Sequence, residues 1–458
     1  MKFKIKNRIF LSGMQSAETA VKIKELLTMD NPKFFEARKM GRYTGNIKKE
    51  LKFYEKRPGG LICPRGAATK IYNICKACGE DITILDNRRT LSPVNFTFAG
   101  RLKPLQAPAV QSCLSHDFGL LSSPTGSGKT CMALYLIAAR RQPALIVVHT
   151  KELLNQWIDR IGQFLGIPAE EIGVIGSGKF SIGEKITIAT VQTLVKKADQ
   201  VAPSIGYLIL DECHRAPAMQ YANTIKAFDS KYMTGLTATP WRRDKLSKVI
   251  FWHIGDVVGQ IDKQDLLKQG DLCQAKVVWI DTEFNTLTDA SEFYSAALSE
   301  LTKDTARNNL IAETVRRAGG EGVSLILSDR RDHCNALHSA LQKYHVESEV
   351  LTGATKQKDR EQIVKNLQAG ICRCLIATGQ LIGEGFDLPG IETIFLATPV
   401  KFSGRLIQYI GRALRPSPGK ENAVIYDFVD RLNPVFRASA KARAYTYRQQ
   451  NLNNHAGT

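Results

Sequence analysis

Short apolar runs alternate with longer amphipathic segments from about residue 93 onward. Residues 145–148, 186–189 and 208–210 are strand-like apolar runs, and residues 151–157 carry their apolar side chains at helical spacing. Strands that alternate with helices in this way form a parallel sheet that helices cover on both faces. The pattern therefore predicts an α/β domain in this part of the chain.

The alternation pauses around residues 255–275 and then resumes. Three further strand-like runs follow the pause, at residues 323–327, 374–377 and 393–397. A second series of this kind predicts a second α/β domain in tandem with the first. The last 20 or so residues, rich in Arg, Lys, Gln and Asn, are expected to form a basic helix that frays.

These patterns predict an α/β fold class with two tandem parallel-sheet domains and a smaller α+β domain before them. The expected boundaries are 1–92 for the small N-terminal domain, 93–258 for the first parallel-sheet domain and 259–458 for the second. Hydrophobic residues make up 43% of the chain and charged residues 23%, which are globular values and exclude a largely disordered or fibrous chain.

Charge is the unusual feature of the composition. The 458 residues include 63 Lys and Arg against 44 Asp and Glu, a net charge of +19. Residues 1–92 hold 20 basic and nine acidic residues, and residues 431–458 hold five basic and no acidic residues, so the middle of the chain is almost neutral. A basic excess at the two ends favours a polyanionic partner, although a basic segment can also be an ordinary solvated face.

The chain shows no feature of an exported or membrane protein. Its basic N-terminus is followed by only three apolar residues, 9–11, too few for the apolar core of a signal peptide. No apolar run approaches the length of a membrane span. Several of the ten cysteines, such as Cys372 and Cys374, lie in or beside apolar runs. They are expected to be reduced core thiols of a cytoplasmic protein, in the host cytoplasm if the gene belongs to a phage.

Three cysteines near the N-terminus, Cys63, Cys75 and Cys78, allow two interpretations. Cys-x-x-Cys-Gly is a common half of a zinc site, but such sites need four ligands and the next candidates are distant, at Cys113 and His116. The spacing therefore favours a hairpin with buried thiols over a zinc site.

A glycine-rich turn between an apolar run and a helical segment predicts a nucleotide site. Its candidate residues are Pro124, Thr125, Gly126, Ser127, Gly128, Lys129 and Thr130. Backbone N–H groups at a helix start attract phosphate, Lys129 is placed to reach the β- and γ-phosphates, and the Thr130 hydroxyl is placed to bind Mg²⁺. Ser123 stands where this pattern asks for Gly, a small residue that the turn tolerates.

The apolar run 207–210 ends at two carboxylates, Asp211 and Glu212. Asp211 is expected to hold Mg²⁺ through its water shell, and Glu212 to polarise the attacking water, which favours a nucleotide hydrolase over a kinase. The alternative is an acidic strand end that caps the next helix.

At this point the sequence resembles the superfamily 2 helicases. Residues 211–214 match the DExH box and 123–130 match motif I. The remaining matches are 102–106 with the adenine-reading segment, 147–153 with motif Ia, 235–244 with motif III of the XPB-like branch, 376–387 with motif V and 408–416 with motif VI. The resemblance covers residues 100–430 in the family's order, and it implies two RecA-like domains that hydrolyse ATP with Mg²⁺.

The resemblance also assigns roles to residues outside the P-loop. Gln106 would read adenine, while Gly385 and Asp387 would lie near the ribose and the arginine fingers. Arg412 and Arg415 would reach the γ-phosphate as those fingers, and such fingers raise the rate about 10³–10⁵-fold.

Two further groups of residues carry over from the family. Coupling between ATP and nucleic acid would involve His214, Thr237, Thr239 and Gln408, with a structural histidine as the alternative for His214. Sequence-independent backbone contacts would come from loops at the end of the two sheets away from ATP, with an ordinary helix N-cap as the alternative at each. These are Thr150, Lys151, Thr190, Gln192, Arg242, Ser328, Arg330, Arg331, Thr352, Gly353 and Thr378.

The small basic domain before the motor resembles branch-migration helicases of the UvsW type and their XPB-like relatives, and so does the stretch 302–308. This resemblance implies an ATP-dependent DNA helicase that acts, as a monomer and without a membrane, on forks and Holliday junctions in phage replication, recombination or repair. Two alternatives remain: an RNA helicase, and an ATP-gated nucleic-acid-binding or annealing factor that is not a motor. Because charge is concentrated at the ends, the salt sensitivity of DNA binding is expected to reside there.

Overall fold

A computed structural model of the chain describes residues 1–213, 218–238, 246–320, 322–379, 390–400, 406, 409–411, 413–414, 420, 422–450 and 452–456. The chain forms two compact units. The first comprises Met1–Pro124 and Gly128–Asp262, and the second comprises Thr125–Ser127 and Lys263–Thr458. None of the helices in the described ranges is long and apolar enough to cross a membrane.

The N-terminal part of the first unit is a small α+β domain. Its strands are β1 (Lys2–Ile5), β2 (Arg8–Ser12), β3 (Thr28–Asp30), β4 (Glu50–Lys52), β5 (Glu55–Arg57), β6 (Gly60–Pro64) and β7 (Thr83–Asp86). Its helices are α1 (Ala17–Leu26), α2 (Pro32–Lys39) and α3 (Ala68–Ala77). Five strands form one sheet in the order β5-β6-β2-β1-β7, while β3 and β4 pair separately beside α2.

The rest of the first unit is built on an almost entirely parallel sheet. Its strands are β8 (Phe118–Ser122), β9 (Ala144–Val148), β10 (Gly173–Gly176), β11 (Lys179–Phe180), β12 (Ile186–Thr190), β13 (Tyr207–Leu210), β14 (Tyr232–Thr237) and β15 (Val257–Gln260). Their order is β11-β10-β12-β9-β13-β14-β8-β15, and only the short β11 is antiparallel to its neighbour. The helices are α4 (Gln106–Leu114), α5 (Lys129–Arg140), α6 (Lys151–Leu165), α7 (Val191–Leu194), α8 (Ala198–Val201), α9 (Ala218–Ile225) and α10 (Ser247–Ile254).

The second unit contains a second parallel sheet. Its strands are β16 (Gln274–Asp281), β17 (Val323–Ser328), β18 (Glu349–Leu351), β19 (Cys374–Thr378), β20 (Ile391–Leu396), β21 (Asn422–Val429) and β22 (Asn453–Ala456). Their order is β18-β19-β17-β20-β21-β16-β22. The helices described for this unit are α11 (Lys263–Lys268), α12 (Tyr294–Lys303), α13 (Thr305–Ala318), α14 (Arg331–Lys343), α15 (Gln357–Gln368) and α16 (Pro434–Gln449).

The predicted fold class is confirmed, because two parallel α/β sheets follow a small α+β domain. Every strand-like run quoted from the sequence lies within or overlaps a strand of one of these sheets. The expected pause is different in detail, since residues 255–275 include β15 and α11. β15 belongs to the first sheet through its pairing with β8, so the boundary expected after residue 258 falls inside this strand.

The predicted C-terminal helix is present as α16, but the expectation that it frays is wrong. α16 packs with Phe436, Ala440 and Tyr447 buried, and the chain then adds β22 as a parallel strand beside β16. The Arg443 guanidinium is buried and donates to both carboxylate oxygens of Asp427. A tail cation that is paired inside the fold is not available to a polyanion.

The hairpin expected around the N-terminal cysteines is also wrong, because the residues join a strand to a helix. Cys63 lies in β6, Cys75 lies in α3, and Cys78 ends that helix. Burial is the main cause that raises the pKa of the Cys63 thiol to about 12 and that of Cys75 to about 11, with smaller contributions from Cys75 to the first and from Glu80 and Cys78 to the second. Among the described residues, no group of three or more His, Cys, Asp or Glu could hold a metal ion.

Candidate nucleotide site on the first sheet

The P-loop connects β8 to α5 through two glycines with positive φ. Gly126 and Gly128 have φ of 89° and 85°, values that residues with a Cβ rarely adopt. A Cβ on Gly128 would also lie 2.4 Å from the Gln106 Nε2 atom. α5 begins at Lys129, whose ammonium donates to the carbonyl oxygens of Ser123 at 3.0 Å and Pro124 at 3.2 Å. The loop thus folds around its own lysine at the start of a helix, a position that favours anions.

Gln106 is placed beside this loop as the sequence predicts. It opens α4, it is buried, and its Oε1 accepts a hydrogen bond of 2.9 Å from the Lys103 N–H. Its close approach to Gly128 explains in part why a glycine occupies that position. The position suits an adenine contact next to the phosphates, and that role stays a prediction.

Asp211 and Glu212 follow β13, which lies between β9 and β14 in the centre of the sheet. The Trp157 indole donates to Asp211 Oδ2 at 2.9 Å, and the Glu212 N–H donates to Asp211 Oδ1 at 2.9 Å. Glu212 has a φ of 45°, in the left-handed region that residues other than glycine seldom adopt. This backbone strain aims the two carboxylates from consecutive residues, and strain of this kind is concentrated at functional sites.

Burial and, to a smaller extent, the negative charge of Glu212 raise the pKa of Asp211 to about 6. The Trp157 hydrogen bond and the positive charge of Lys129 act in the opposite direction. The raised pKa means that added positive charge near Asp211 would favour its ionised form.

A hydroxyl and a carboxylate are hard oxygen donors of the kind that Mg²⁺ prefers, so Thr130 and Asp211 fit this ion. They would hold Mg²⁺ together with the phosphates of ATP, where the ion would offset negative charge. The chain's own groups have separate tasks. Lys129 would bind phosphate, and Glu212 would polarise the attacking water, and both roles stay predictions.

Thr237 connects the two motifs at the end of β14. Its carbonyl accepts from the Ser123 N–H at 2.9 Å, and the neighbouring Leu236 carbonyl accepts from the Cys213 N–H at 3.2 Å. The end of β14 is therefore bonded to both the P-loop and the residue after Glu212. Thr237 is the last residue of this strand, and the coupling role expected of it stays a prediction.

The nucleic-acid candidates of the first unit lie on the same edge of the sheet as the nucleotide site. Thr150 follows β9 and Thr190 ends β12, and these strands run parallel to β8 and β13. The expected position at the far end of the sheet is therefore wrong for them, because parallel strands place all their carboxyl ends at one edge. The nucleic-acid candidates and the nucleotide site differ instead in the strands that they follow, which are β9 and β12 for the first and β8 and β13 for the second.

Three of the four candidate side chains in this part of the first unit form hydrogen bonds within the protein. Thr150 is the N-cap of α6, and its hydroxyl accepts from the Leu153 N–H at 3.3 Å, which is the alternative left open by the sequence. The exposed Gln192 amide donates to the His149 carbonyl at 3.0 Å. Thr190 is buried and donates to Thr193 Oγ1 at 3.1 Å, while Lys151 is exposed.

In the second unit, the candidate residues divide into exposed and buried groups. Arg331 and Gly353 are exposed, Arg330 and Thr378 are half-buried, and Ser328 and Thr352 are buried. A direct side-chain contact between Ser328 and nucleic acid is the prediction that the structure contradicts most clearly, because its side chain is only 1% exposed. The other predicted site residues, His214, Thr239, Arg242, Gly385, Asp387, Gln408, Arg412 and Arg415, lie outside the described residues.

Trp157 is a site residue that the sequence did not single out. It lies on the buried face of α6, where its aromatic ring is indistinguishable from ordinary core in the sequence pattern. Only the fold brings its indole N–H to Asp211, 54 positions further along the chain.

Two family models match this chain. "Type III restriction enzyme, res subunit" matches residues 100–242, and "Helicase conserved C-terminal domain" matches residues 306–417. The first match contains the P-loop and the Asp211–Glu212 pair, and the second contains the positions of motifs V and VI.

Named relatives are similar over most of their own length. The DNA 3'-5' translocase XPB2 of Sulfurisphaera tokodaii is 24% identical over 384 residues, which cover 75% of this chain and 84% of the relative. Protein D10 of Escherichia phage T5, whose name assigns it to the helicases, is 24% identical over 372 residues, or 80% and 79%. Protein L396 of Acanthamoeba polyphaga mimivirus, whose name describes an ATP-dependent RNA helicase, is 24% identical over 404 residues, or 84% and 74%.

The fold is also found in a solved structure. The structure of Saccharomyces cerevisiae Dbp5 bound to RNA and ADP BeF3 matches with a TM-score of 0.53 and 16% identity, covering 78% of this chain and 90% of that one. The two parallel-sheet domains are therefore RecA-like, and helicases of this family use ATP to act on nucleic acid. The chain belongs to the superfamily 2 helicases, in the branch of the XPB-like and phage enzymes.

Proposed function

We propose that this chain is an ATP-dependent DNA helicase that acts on branched DNA, such as forks and Holliday junctions, in phage replication, recombination or repair. Its N-terminal domain engages the duplex at the junction while the two RecA-like domains move along a strand. The observation that carries this proposal is an exposed, positively charged segment at residues 32–52 of the N-terminal domain, which we call the basic segment.

The basic segment carries seven of the 20 Lys and Arg residues of its domain and only two of the nine acidic residues. Six of its cations are exposed, and among the residues that the structure describes none of them forms an ion pair: Lys33, Arg38, Lys39, Arg42, Lys48 and Lys49. Elsewhere in the domain, several cations are paired, as in Arg8 with Glu55 and Lys70 with Asp256. Other exposed lysines, such as Lys2, Lys4 and Lys56, form no ion pair among the residues that the structure describes. The segment thus holds +5 of the domain's net charge of +11 within 21 of its 92 residues, and this exposed charge can contact phosphates.

The same segment exposes apolar surface. No residue of α2 is buried, and beyond the helix Met40 and Tyr43 are 65% and 82% exposed. The Tyr43 ring lies against Gly45, where a Cβ would be 2.1 Å from the phenol oxygen. Aromatic rings among cations are typical of surfaces that bind unstacked bases, and a branch point offers such bases.

The basic segment is fixed to the body of the first unit. Asn31 caps α2 through the Lys33 N–H and donates to the Lys48 carbonyl at 2.8 Å, which ties the two ends of the segment together. The N-terminal domain then packs its core against Val249 and Trp252 of α10. The buried Arg65 donates to the Ser230 carbonyl at 2.7 Å. A contact at the basic segment is therefore mechanically linked to the sheet that carries the P-loop.

In this proposal Arg412 and Arg415 act as arginine fingers, and the residues at the carboxyl edges of the sheets hold the DNA backbone. Lys129, Asp211 and Glu212 supply phosphate binding, Mg²⁺ binding and water activation. The RNA helicase alternative stays open, because contacts to a phosphate backbone do not distinguish the two nucleic acids. The annealing alternative is disfavoured by the complete set Lys129, Glu212 and Arg412.

The substrate claim is tested by measuring ATPase and unwinding side by side on a fork, a four-way junction, a single strand and an RNA duplex. Branched DNA is expected to stimulate ATP turnover most strongly. Equal or stronger stimulation by RNA would favour the RNA helicase, and ATP hydrolysis with no unwinding of any substrate would favour the annealing factor.

The role of the basic segment is tested by replacing Lys33, Lys39, Lys48 and Lys49 with Gln. Each lost phosphate contact is expected to reduce the slope of log K against log salt by about 0.9 on duplex DNA. The matched control replaces four exposed lysines of the second unit, Lys268, Lys343, Lys365 and Lys441, and keeps the slope. Equal slopes in the two variants would reject the assignment. Substitution is preferable to deletion of residues 1–92, because deletion would expose the core shared with α10.

A further inference from the structure

The stretch 302–308, which resembles the XPB-like branch in sequence, forms the end of α12 and the start of α13. Two adjacent buried residues in it, Arg307 and Asn308, begin two separate polar networks beneath the carboxyl edge of the second sheet. Neither residue is exposed enough to bind nucleic acid itself, so their contacts within the fold indicate what they do.

Arg307 fastens strand ends together. Its guanidinium donates to Asp430 Oδ1 at 2.7 Å and Oδ2 at 3.2 Å, and to the Ala397 carbonyl at 2.7 Å. Thr282 donates to the same Asp430 carboxylate at 2.5 Å. These residues follow β20, β21 and β16, so this network holds the framework of the edge.

Asn308 begins a chain of hydrogen bonds that reaches a loop. Its amide nitrogen donates to the Thr302 carbonyl at 3.1 Å, so its Oδ1 faces His333 Nε2 at 2.9 Å. His333 Nδ1 lies 2.9 Å from the Ser328 hydroxyl, and that hydroxyl accepts from the Arg330 N–H at 3.0 Å. The chain thus runs from helix α13 to the backbone that follows β17.

The direction of every bond in this chain is determined. A carbonyl only accepts, so the Asn308 amide must donate to Thr302 and its oxygen must accept from His333. Burial, together with the positive charge of Arg307, lowers the pKa of His333 to about 3, which keeps the ring neutral. The neutral ring therefore donates from Nε2 and accepts at Nδ1 from Ser328. The Arg330 carbonyl, 3.2 Å from the Ser328 hydroxyl, is the more distant acceptor.

The chain of hydrogen bonds ends at the 329–331 loop, which was expected to bind the nucleic-acid backbone. Arg330 is the N-cap of α14 with no side-chain cap, and Arg331 begins the helix with an exposed side chain. Within the described residues, Arg331 forms no ion pair, and the exposed Asp329 and Asp332 balance the charge of the two arginines. Because the loop is neutral as a whole, a phosphate contact there depends on where the Arg331 side chain and the amides point.

We propose that Asn308, His333 and Ser328 are positioning residues for nucleic-acid binding. They act by fixing the orientation of the 329–331 loop through this series of hydrogen bonds. The proposal rests on the proposed function, since it assigns the loop to the nucleic-acid contact. It replaces the direct contact first expected of Ser328 with an indirect role. Arg331 and the loop amides make the contact, and the buried chain sets their position.

The test compares Ser328→Ala, which removes the hydroxyl, with Ser328→Thr, which keeps it. Ser439→Ala is the matched control, because Ser439 is another buried serine of the second unit that accepts from Arg443 at 3.3 Å. ATPase is measured against the concentration of single-stranded DNA and of RNA of equal length. Ser328→Ala is expected to raise the half-saturating nucleic-acid concentration about 5–20-fold, the usual effect of one lost buried hydrogen bond. Turnover at saturation and the KM for ATP stay within about twofold.

Ser328→Thr and Ser439→Ala are expected to behave like the wild type. In a double-mutant cycle, Asn308→Ala adds little to Ser328→Ala, because both interrupt the same chain. Wild-type half-saturation in Ser328→Ala would overturn the proposal, and so would an equal loss in Ser439→Ala. Stronger stimulation by RNA than by DNA would reject only the proposed substrate. The role of the hydrogen-bond chain would then be tested by the half-saturating concentration of RNA. If neither polymer stimulates turnover, direct binding by fluorescence anisotropy gives the same comparison.

Discussion

The carboxyl edges of the two parallel sheets are built from similar residue types that are used in opposite ways. At the edge of the first sheet, Asp211 and Glu212 lie side by side, and burial raises the pKa of Asp211 to about 6. At the edge of the second sheet, Asp430 is also buried but accepts a bidentate hydrogen bond from Arg307. At the first edge the ionised form of the aspartate is disfavoured, and at the second edge the aspartate is held by a buried guanidinium.

This difference separates a reacting site from a supporting framework. A buried carboxylate whose ionised form is disfavoured is costly in the ligand-free protein, and ionisation becomes more favourable when positive charge arrives with a ligand. A buried carboxylate that is already paired holds its neighbours in place and has no further capacity for a ligand. Charge removal should therefore affect turnover at the first edge and stability at the second.

The largest expected effect is that of Glu212→Gln at the first edge. Loss of the base that activates water should lower ATP turnover by about 10²–10⁴-fold, while ATP still binds because Lys129 and the P-loop are intact. Steady-state ATPase and equilibrium binding of a fluorescent ATP analogue measure the two quantities. Glu170→Gln, on an exposed turn of the same unit, is the control and keeps wild-type turnover. Unchanged turnover in Glu212→Gln would refute the role of this residue.

The next effect tests the second edge through Arg307→Leu. Removal of one partner from a buried ion pair leaves Asp430 unbalanced and should destabilise the second unit by about 3–5 kcal/mol. Chemical denaturation measures the loss. The control, Arg317→Leu, breaks an exposed pair with Glu313 on the same helix and changes stability by less than about 1 kcal/mol. A small loss in Arg307→Leu would mean that the two edges do not differ as described.

Asp211→Asn should have the opposite sign from Arg307→Leu. The pKa of Asp211 is raised from 3.8 to about 6 in the folded state, so ionisation opposes folding above that pH. Replacement by the neutral amide should stabilise the protein by about 1–3 kcal/mol at pH 8 without nucleotide or divalent ions. The gain should shrink as the pH falls from 6 to 4, where the wild-type carboxyl also becomes neutral. Thermal unfolding at several pH values measures it, and destabilisation at pH 8 would contradict this reading of the first edge.

The two edges were not equally accessible from the sequence. The P-loop and the Asp211–Glu212 pair are contiguous motifs, so residue order alone places them at strand ends and gives their chemistry. Contiguity also explains why the parallel-sheet strands were predicted well, since each is a local apolar run. The hydrogen bond from Trp157 to Asp211 was not predictable, because only the fold joins these positions.

The second edge depends on contacts between residues that are distant in sequence. Arg307 and Asp430 are 123 positions apart, and nothing local marks them as partners. Ser328 illustrates the resulting error, because a polar residue at a strand end suggests a ligand contact while its burial depends on His333 and Asn308. The fraying of the C-terminal helix was mispredicted for the same reason, since Asp427, not the local composition, determines where Arg443 lies.

The smallest expected effect concerns Thr150, where the first edge includes a residue with a structural role. Its hydroxyl caps α6 through the Leu153 N–H, so Thr150→Ala should cost about 1 kcal/mol of stability while Thr150→Ser retains the cap. Because the hydroxyl is already engaged in this cap, any contact that it makes with DNA should contribute little free energy of binding. The half-saturating DNA concentration should therefore change less than about threefold in either variant. Chemical denaturation and a DNA titration of ATPase measure the two quantities. A larger rise with Ala but not with Ser would show that this hydroxyl also binds DNA, and the first edge would then combine framework and ligand contact in one side chain.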